Sequence, residues 1–291
     1  MKLIADSGST KTDWCLISPD GAVLRYKTQG INPFHQDRET IRNVLRNELM
    51  PLLGIPTEGM EPLVNQVRKV SFYGSGVRPE LESVMEHLLQ ESFPFATKVE
   101  AHGDLLGAAR ALCGNNEGIA CILGTGANSC LYDGESIVQN TPPLGYILGD
   151  EGSGAVLGIR FLNMLMKGFL SKALKDEFLR EQQMTEADVI DRVYRQPLAN
   201  RWLASLSTFI SHHLEEPTIR QLVVDNFRRF ISRNVVQYGR QDLPLNAVGS
   251  IAYYYRHELE EAAEAEGYTI GKVLKSPMEG LLDIAKDTER R

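Results

Sequence analysis

The sequence predicts an α/β protein built from two consecutive domains, and three observations support this fold class. The chain contains 291 residues, which exceeds the usual size of a single domain. Over its first 113 residues, β-prone runs alternate with segments of helical periodicity in the order βββαβαβα. A loop of glycine and hydroxyl residues occurs at 7–12 and again at 124–129, each time between two β-prone runs. We therefore expect two related domains, residues 1–113 and 114–291.

The first half opens with a predicted β-meander, a set of three strands joined by tight turns. Its second turn is Pro19-Asp20-Gly21, a sequence that favours chain reversal. A helix follows Asn32-Pro33, because the apolar residues after it recur with a period of about 3.6. The predicted strands of this half are 2–5, 13–17, 22–28, 67–73 and 97–101, and the predicted helices are 38–53, 79–91 and 103–112.

The second half repeats the opening pattern after the polar, glycine-rich segment 114–118. A mostly helical region extends from 152 to 241, and a short buried strand at 246–250 leads into another helix. Ser276 and Pro277 are a suitable N-cap and first-turn residue for a last amphipathic helix, over 277–287. The predicted strands of the repeated meander are 119–123, 128–132 and 136–139.

Charge balance and hydropathy exclude several function classes. A net charge of −7, without a basic cluster, argues against binding to nucleic acid or to a membrane surface. No apolar run reaches the roughly 18–20 residues of a transmembrane helix, and no signal sequence is visible, so we expect a cytoplasmic protein. Four cysteines lie far apart without metal-ligand spacing, which predicts reduced, packed thiols: Cys15, Cys113, Cys121 and Cys130.

The two glycine-hydroxyl loops are candidate phosphate sites. Tight turns of glycine, serine and threonine can point backbone N–H groups and hydroxyls into one concavity, which suits a phosphate. Lys11 adds a positive charge to the first loop. Asp6, just before it, could hold a hydrated Mg²⁺ against phosphate oxygens or could simply stabilise the turn. The candidate phosphate contacts are Asp6, Gly8, Ser9, Thr10, Lys11 and Thr12 in the first loop, and Gly124, Thr125 and Gly126 in the second.

Asp104 is the candidate catalytic residue. It lies between a strand and a helix of small residues, where it could cap the helix or act as a general base on a substrate hydroxyl. In phosphoryl transfer to an alcohol, positioning and charge neutralisation supply most of the catalysis, and an aspartate that accepts the hydroxyl proton completes the site. The six histidines show no metal spacing, and none of them is assigned a role.

Two glycine-rich turns in the second half are further candidates. Asp150 and Glu151 lie among four glycines within 145–154, and the apolar residues at 146–148 predict partial burial. Buried carboxylates need partners such as sugar hydroxyls or N–H groups. Gly249-Ser250 follows a strand and opens a helix, which is typical either of a tight turn or of a place where a flat ligand approaches the backbone.

On these residues the chain resembles the acetate and sugar kinase, Hsp70 and actin superfamily, and within it the N-acetylglucosamine kinase-like members of the BadF/BadG/BcrA/BcrD ATPase family. The resemblance covers nearly the whole chain. Its most specific string is Gly149-Asp150-Glu151-Gly152-Ser153, which matches a signature of those kinases. The other matches are 6–12 and 123–128 with the two phosphate motifs, Asn32 with a sugar contact, Asp104 with the catalytic aspartate, and 248–251 with the adenosine motif.

The resemblance implies two RNase H-like (actin-like ATPase) domains with ATP in the cleft between them, the second domain enlarged by helices and the last helix packed on the first. It implies an ATP- and Mg²⁺-dependent kinase that phosphorylates the 6-hydroxyl of N-acetylglucosamine or a related amino sugar, and it is compatible with a homodimer. Asp104 would be the base, and Asp6 would hold Mg²⁺ through water. The remaining implied contacts are Gly249 and Ser250 with adenosine, and Asn32, Asp104, Asn128, Gly145 and Asp150 with the sugar.

Departures from the family pattern concern the sugar more than the reaction. Leu144 stands where the animal N-acetylglucosamine kinases carry an aromatic residue that helps to define the sugar pocket. Ser7, Ser9 and Ala127 occupy positions where glycine or serine is common, and such small residues change the loops little. The sequence therefore leaves open which amino sugar is the acceptor.

Two other functions are compatible with parts of this pattern. A BadF-type ATPase that activates a partner enzyme would hold an iron–sulfur cluster at a subunit interface through cysteines, but the four cysteines form no cluster-like pair. A sugar-sensing regulator would need a DNA-binding domain and the CxCGxxGC zinc motif of the repressor-kinase group. The sequence shows neither of these features.

Overall fold

The computed structural model describes residues 1–8, 10–54 and 61–290, with side chains up to residue 286. Its internal contacts separate the chain into two compact units. In the described part of the chain, each unit contains one five-stranded mixed sheet with helices. The predicted α/β class with two domains of related construction is thereby confirmed. The first unit comprises Met1–Gly114 and Pro277–Arg291, and the second comprises Asn115–Ser276.

The sheet of the first unit consists of β1 (Lys2–Ser7), β2 (Lys11–Ile17), β3 (Val23–Gln29), β4 (Lys69–Gly74) and β5 (Lys98–Gly103). Its strand order is β3-β2-β1-β4-β5. The first three strands form the predicted antiparallel meander, whereas β4 and β5 run parallel to β1. The carboxyl ends of β1, β4 and β5 therefore meet at one edge, the usual place for a ligand site in α/β sheets.

The helices of the first half are α1 (Arg38–Val44), α2 (Met50–Leu53), α3 (Leu63–Gln66), α4 (Pro79–Ser92) and α5 (Asp104–Cys113). A π-helical turn at Leu45–Leu49 joins α1 to α2. The predicted helix over 38–53 is therefore one helical segment with a wider turn in its middle.

Trp14 anchors the strand that follows the first loop. The ring is fully buried and lies 6.0 Å from the ring of Phe72, centroid to centroid. Its Nε1–H donates a 2.9 Å hydrogen bond to the hydroxyl of Thr28 on β3. This anchor holds β2 between its neighbours, so the loop before it starts from a fixed base.

The sheet of the second unit consists of β6 (Gly118–Leu123), β7 (Ala127–Tyr132), β8 (Ile137–Thr141), β9 (Leu245–Val248) and β10 (Ile270–Leu274). Its strand order is β10-β9-β6-β7-β8, which is the order of the first sheet when it is read from β8. The sequence analysis did not predict β10. This edge strand is only half-buried and contains a glycine and a lysine, residues that are depleted in strands.

The helices of the second unit lie mainly between β8 and β9 and surround an aromatic cluster of Phe161, Phe178 and Phe209, whose ring centroids are 5.3–5.7 Å apart. This region matches the predicted helical stretch. The helices before β9 are α6 (Gly145–Leu148), α7 (Gly154–Met166), α8 (Lys172–Gln182), α9 (Glu186–Tyr194), α10 (Ala199–Ser205), α11 (Ser207–Ser211) and α12 (Pro217–Phe230), and those after β9 are α13 (Ser250–Tyr254) and α14 (Arg256–Ala265).

The last helix, α15 (Pro277–Arg290), packs against α5 and β1 of the first unit. Gly280 permits this contact, because a Cβ there would lie 2.2 Å from the carbonyl oxygen of Ala111. Lys2 adds a 2.8 Å hydrogen bond from its Nζ to the carbonyl oxygen of Ala285. The first and last segments of the chain thus stabilise each other.

The burial of the cysteines and the length of the helices were both subjects of sequence-based predictions. Three of the four cysteines, Cys15, Cys121 and Cys130, are buried, and Cys113 is half-buried. In the described ranges no helix is long and apolar enough to cross a membrane.

Replacing Gly158 with alanine should destabilise the second unit. At an unobstructed helical position, alanine in place of glycine stabilises the helix by about 1 kcal/mol. At Gly158, however, a Cβ would lie 2.2 Å from the carbonyl oxygen of Leu203. We expect the free energy of unfolding to fall by about 1–3 kcal/mol in urea titrations. The neighbouring Ile159→Ala, at a partly exposed position on the same helix, should change it by less than about 0.5 kcal/mol. Equal stability of Gly158→Ala and wild type would contradict this packing.

Candidate active site

The base of the first loop is held by two buried hydroxyls. Ser7 Oγ and Thr12 Oγ1 lie 2.7 Å apart, and Ser7 Oγ also donates a 2.9 Å hydrogen bond to the carbonyl oxygen of Ile31. Thr12 Oγ1 donates to the carbonyl oxygen of Gln29 at 3.0 Å. The hydroxyl of Thr12, a predicted phosphate contact, is therefore engaged inside the unit.

Gly8, Thr10 and Lys11 of the first loop lie at the surface. Gly8 closes the hairpin with a 3.0 Å hydrogen bond from its N–H to the carbonyl oxygen of Lys11. Thr10 and Lys11 are exposed, and Lys11 Nζ lies 2.6 Å from Asp13 Oδ2. Ser9, another predicted contact, is outside the described residues. The loop thus presents a hydroxyl and an ammonium group to solvent.

Asp6 and Asp104 meet at the carboxyl edge of the first sheet. Asp6 lies near the end of β1, and Asp104 is the first residue of α5, directly after β5. Burial, followed by the charges of Asp104 and Asp13, raises the pKa of Asp6 to about 7 in spite of the opposing charge of Lys11. Burial also raises the pKa of Asp104, although backbone N–H groups, first that of Leu105, stabilise its carboxylate. The two predicted carboxylates are therefore neighbours in a poorly solvated site.

Asn32 lies in the same unit and is held by its surroundings. Its side-chain Oδ1 accepts a 3.0 Å hydrogen bond from the N–H of Phe34, and its own N–H donates to Gln36 Oε1 at 2.8 Å. Gly76 has φ +80°, and a Cβ there would lie 2.1 Å from Asn32 Oδ1. Gly76 thus admits the Asn32 side chain. A glycine just after a predicted strand was the signal for this role, and the sequence analysis missed it.

The second loop is tied to the start of α7. The carbonyl oxygens of Gly124 and Thr125 accept hydrogen bonds from the N–H groups of Gly154 and Ala155 at 2.8 and 3.2 Å. The N–H of Gly124 donates to the carbonyl oxygen of Gly126 at 3.0 Å, which closes the turn. The side chain of Thr125 is exposed. This loop therefore also presents a hydroxyl from a fixed backbone.

Asp150 lies beside the second loop in a left-handed backbone conformation with φ +51°, which is uncommon outside glycine. Its N–H donates a 2.8 Å hydrogen bond to the carbonyl oxygen of Pro143, and its carboxylate accepts from the N–H groups of Ala127 and Gly145. Burial raises its pKa to about 6 in spite of these bonds. A Cβ at Gly126 would lie 3.0 Å from Asp150 Oδ2, so the loop leaves little space around this carboxylate.

Two other predicted polar residues are already engaged. Asn128 Oδ1 accepts a 2.9 Å hydrogen bond from Asn140 Nδ2, which orients the amide. Glu151, next to Asp150, pairs with Arg233 at 3.0 Å. Of the adjacent carboxylates, Asp150 is therefore the one held against the loop.

The expected burial of the apolar residues before Asp150 is wrong for most of them. Leu144, Ile147 and Leu148 are 63%, 79% and 77% exposed, and only Tyr146 packs against the core. They lie on or next to α6, a single helical turn, so few neighbours cover them. Asp150 is half-buried by the loop backbone instead.

A cavity of about 570 Å³ lies beside the second loop, entirely within the second unit. Three of the predicted contacts, Gly124, Thr125 and Ser250, line this cavity. Residues of α10 and of the segment after α11, such as Arg201 and His212, line it as well. The sequence analysis missed this second group, because residues on separate helices carry no shared motif.

Gly249 directly precedes Ser250, which lines this cavity. Its φ is +125°, and a Cβ there would lie 2.2 Å from the carbonyl oxygen of Leu123. Only glycine allows the start of α13 to approach β6 this closely. The predicted turn at Gly249-Ser250 and the second loop are therefore adjacent.

Comparisons with known proteins found similar chains. No family model matches. A crystal structure of a candidate N-acetylglucosamine kinase from Porphyromonas gingivalis is 48% identical, with a TM-score of 0.93 over 99% of this chain and 100% of that chain. The N-acetylmuramic acid/N-acetylglucosamine kinase of Clostridium acetobutylicum is 26% identical over 218 residues, 71% of this chain and 68% of that protein.

More distant solved structures share the fold. A candidate N-acetylglucosamine kinase from Chromobacterium violaceum has a TM-score of 0.72 at 19% identity, over 97% of this chain and 98% of that chain. A ROK family glucokinase from Streptomyces griseus, solved with glucose and AMPPNP, has a TM-score of 0.53 at 14% identity, over 100% and 99%. At these identities the likeness concerns architecture alone.

Asp6→Asn should change how stability depends on pH. Because the folded pKa of Asp6 is raised to about 7, its contribution to stability is fully present below pH 4 and is lost as the pH rises through 7. The variant should therefore match wild type near pH 4 and exceed its free energy of unfolding by up to about 4 kcal/mol at pH 8. Denaturation series between these pH values measure the difference.

Asp133→Asn is the control with the opposite sign. Backbone N–H groups, first that of Ser136, hold the pKa of this exposed carboxyl below its usual range, so the substitution should lower stability at neutral pH. A difference between Asp6→Asn and wild type that stays constant with pH would refute the raised pKa.

Proposed function

Because the chain belongs to the N-acetylglucosamine kinase-like group of the acetate and sugar kinase, Hsp70 and actin superfamily, we propose that it phosphorylates N-acetylglucosamine or a related amino sugar with ATP. The acceptor is the 6-hydroxyl. The observation that carries the proposal is the carboxylate pair at the edge of the first sheet, where burial and then the charge of Asp104 raise the pKa of Asp6. One carboxylate of such a pair suits a metal and the other suits a proton acceptor.

Asp104 is proposed as the general base. It accepts the proton of the acceptor hydroxyl while the oxygen attacks the phosphoryl group supplied by ATP. Its raised pKa favours this step, because a more basic carboxylate takes a proton more readily at neutral pH. The N–H of Leu105 orients the carboxylate at the start of α5.

Asp6 is proposed to hold Mg²⁺ through water. The residues fit this ion, because Mg²⁺ takes one or two protein carboxylates and keeps several waters. Asp104 and Asp13 repel a charge on Asp6 more than Lys11 attracts it, and a bound cation would relieve this repulsion. When bound, Mg²⁺ supplies charge neutralisation on phosphate oxygens.

The two loops are proposed to bind phosphate through their exposed groups. Thr10 and Thr125 donate from hydroxyls, and Lys11 contributes a positive charge. Lys11 is paired with Asp13, so phosphate binding competes with this ion pair. Gly8, Gly124 and Gly126 keep the turns open to the ligand, and the inward hydroxyl of Thr12 holds the first loop in shape.

The sugar contacts are proposed to come from residues that the fold already orients. Asn32 in the first unit is held by the turn at 34–36, and Asn128 in the second by Asn140. Asp150 accepts two backbone N–H groups, one of them from Gly145, and its strained backbone fixes its direction. Preoriented polar groups favour one arrangement of sugar hydroxyls, since an unpaired buried group on either side is costly.

The 570 Å³ cavity is proposed to receive the nucleoside of ATP. Its volume lies within the range of about 300–1,000 Å³ typical of small-molecule sites. Ser250 lines it next to the second loop, and Arg201, His212 and Tyr254 add polar and aromatic groups. A base can stack on an aromatic ring or a guanidinium plane.

Asp104→Asn should abolish most sugar-dependent ADP release. The amide cannot accept the hydroxyl proton, so kcat should fall by about 10²–10⁴-fold while the KM values for sugar and ATP change little. A coupled ADP-release assay across a panel of amino sugars measures both the reaction and its acceptor preference.

Asp37→Asn is the matched control, because Asp37 also starts a helix, where its side chain accepts from the N–H of Thr40. It should retain wild-type turnover. Full turnover of a folded Asp104→Asn would remove the base assignment. ADP release by wild type that no sugar stimulates would instead favour an ATPase that acts on a partner enzyme.

Ser205→Trp should weaken ATP binding. Ser205 is exposed and lines the cavity, so an indole there would occupy the space proposed for the nucleoside. We expect the KM for ATP to rise by about tenfold or more, with a smaller change for the sugar. Ser83→Trp is the matched control. Ser83 is also exposed and lines a different cavity, of about 310 Å³, in the first unit, so this variant should leave both KM values unchanged. Equal effects of the two variants would argue against the assignment.

A further inference from the structure

The hydroxyl of Ser75 is buried without a hydrogen-bond partner. In the described part of the chain, only three buried side-chain polar atoms share this property, namely Ser75 Oγ, Asn226 Oδ1 and Tyr268 OH. Leaving such a group unpaired costs about 1–3 kcal/mol. Most buried polar groups in proteins are paired, so an unpaired one calls for an explanation, such as a missing ligand.

Ser75 lies at the edge of the sheet that carries the proposed catalytic residues. It directly follows β4, whose last residue, Gly74, pairs with Gly103 at the end of β5. Ser75 and Asp104 therefore each directly follow one of these two paired glycines. Neighbouring strands of a sheet are about 4.8 Å apart, so the two residues lie side by side. On its other side, the N–H of Ser75 donates a 2.8 Å hydrogen bond to the carbonyl oxygen of Ser7 on β1.

The residue after Ser75 approaches the proposed sugar contact Asn32. Gly76 lies so close that a Cβ there would be 2.1 Å from Asn32 Oδ1. Ser75 therefore has a neighbour of the proposed base on one side and a neighbour of a proposed sugar contact on the other: Gly74 pairs with Gly103, and Gly76 packs against Asn32. Its backbone is fixed on both sides, by the bond to Ser7 and by the packing of Gly76.

The chemistry of the group indicates its ligand. A serine hydroxyl both donates and accepts, which matches a neutral hydroxyl of a sugar. Asp104 follows Gly103, the strand partner of Gly74, so its carboxyl group at the end of the neighbouring strand disfavours a phosphate or another anion near Ser75. In a hexose, the ring hydroxyl nearest to the 6-hydroxyl along the carbon skeleton is the one on carbon 4.

We infer that Ser75 Oγ hydrogen-bonds the 4-hydroxyl of the acceptor sugar while Asp104 receives the 6-hydroxyl. This inference rests on the proposed function. It makes Ser75 a specificity residue, because an acceptor without a hydroxyl at this position leaves the serine unpaired.

Ser75→Ala tests the inference through opposite effects on stability and on binding. The free protein should be as stable as wild type or more stable, because the substitution removes an unpaired buried group. The KM for the sugar should rise about three- to tenfold, the value of one neutral hydrogen bond, while the KM for ATP stays unchanged.

Ser71→Ala is the matched control on the same strand. Ser71 Oγ donates a 2.7 Å hydrogen bond to Glu100 Oε1, so this variant should lose stability and keep its KM for the sugar. The pair of variants separates a ligand-binding hydroxyl from a structural one.

The 4-deoxy analogue of the preferred sugar locates the contact. Wild type should lose about three- to tenfold in kcat/KM with this analogue, and Ser75→Ala should lose less than about twofold further, because the two changes remove the same bond. The 3-deoxy analogue should weaken both proteins equally.

Three results would overturn the inference. They are an unchanged sugar KM in Ser75→Ala, a lower stability of that variant with no effect on the sugar, and independent losses from the variant and the 4-deoxy analogue. Each presupposes a wild type that phosphorylates a sugar. A wild type that neither binds nor phosphorylates any amino sugar would contradict the proposed function as well.

Discussion

The parallel pairing of β1, β4 and β5 is the constraint on which the chemistry of the first unit depends. It brings the ends of three strands that are far apart in sequence to one edge, and with them Asp6, Ser75 and Asp104. Two carboxylates at such an edge repel each other and are poorly hydrated, so burial and the charge of Asp104 hold the pKa of Asp6 near 7. A cation and an acceptor hydroxyl would relieve this unfavourable arrangement in the proposed reaction.

In the second unit, the arrangement of the candidate site residues depends on close approach between backbone segments more than on charge. Gly249 lets α13 come against the end of β6, and Gly126 leaves room for the carboxylate of Asp150. The loop carbonyls in turn bind the first N–H groups of α7. The second loop, the carboxylate of Asp150 and the wall of the cavity are thereby packed together around a few glycines, and most substitutions of these glycines would separate them.

Most strands and helices could be predicted from the sequence, because the periodicity of apolar residues reflects which face of each element is buried. The meanders, the helix over 38–53 and the helical region after 152 follow this pattern. Strand β10 does not, since it is half-buried at an edge and contains Gly271 and Lys272. The exposure of Ile147 and Leu148 was also missed, because a local apolar run does not show whether anything covers it.

The sequence by itself determined the fold class, the two loops and the family, since short motifs of glycine, hydroxyl and carboxylate residues are local and keep their spacing. Only the tertiary structure decided which groups are available to a ligand. The Thr12 hydroxyl donates a hydrogen bond inside the unit, Glu151 pairs with Arg233, and the Ser75 hydroxyl is buried without a hydrogen-bond partner. The cavity beside the second loop joins helices with no common motif. These properties depend on distances between segments remote in the chain, and no local pattern records them.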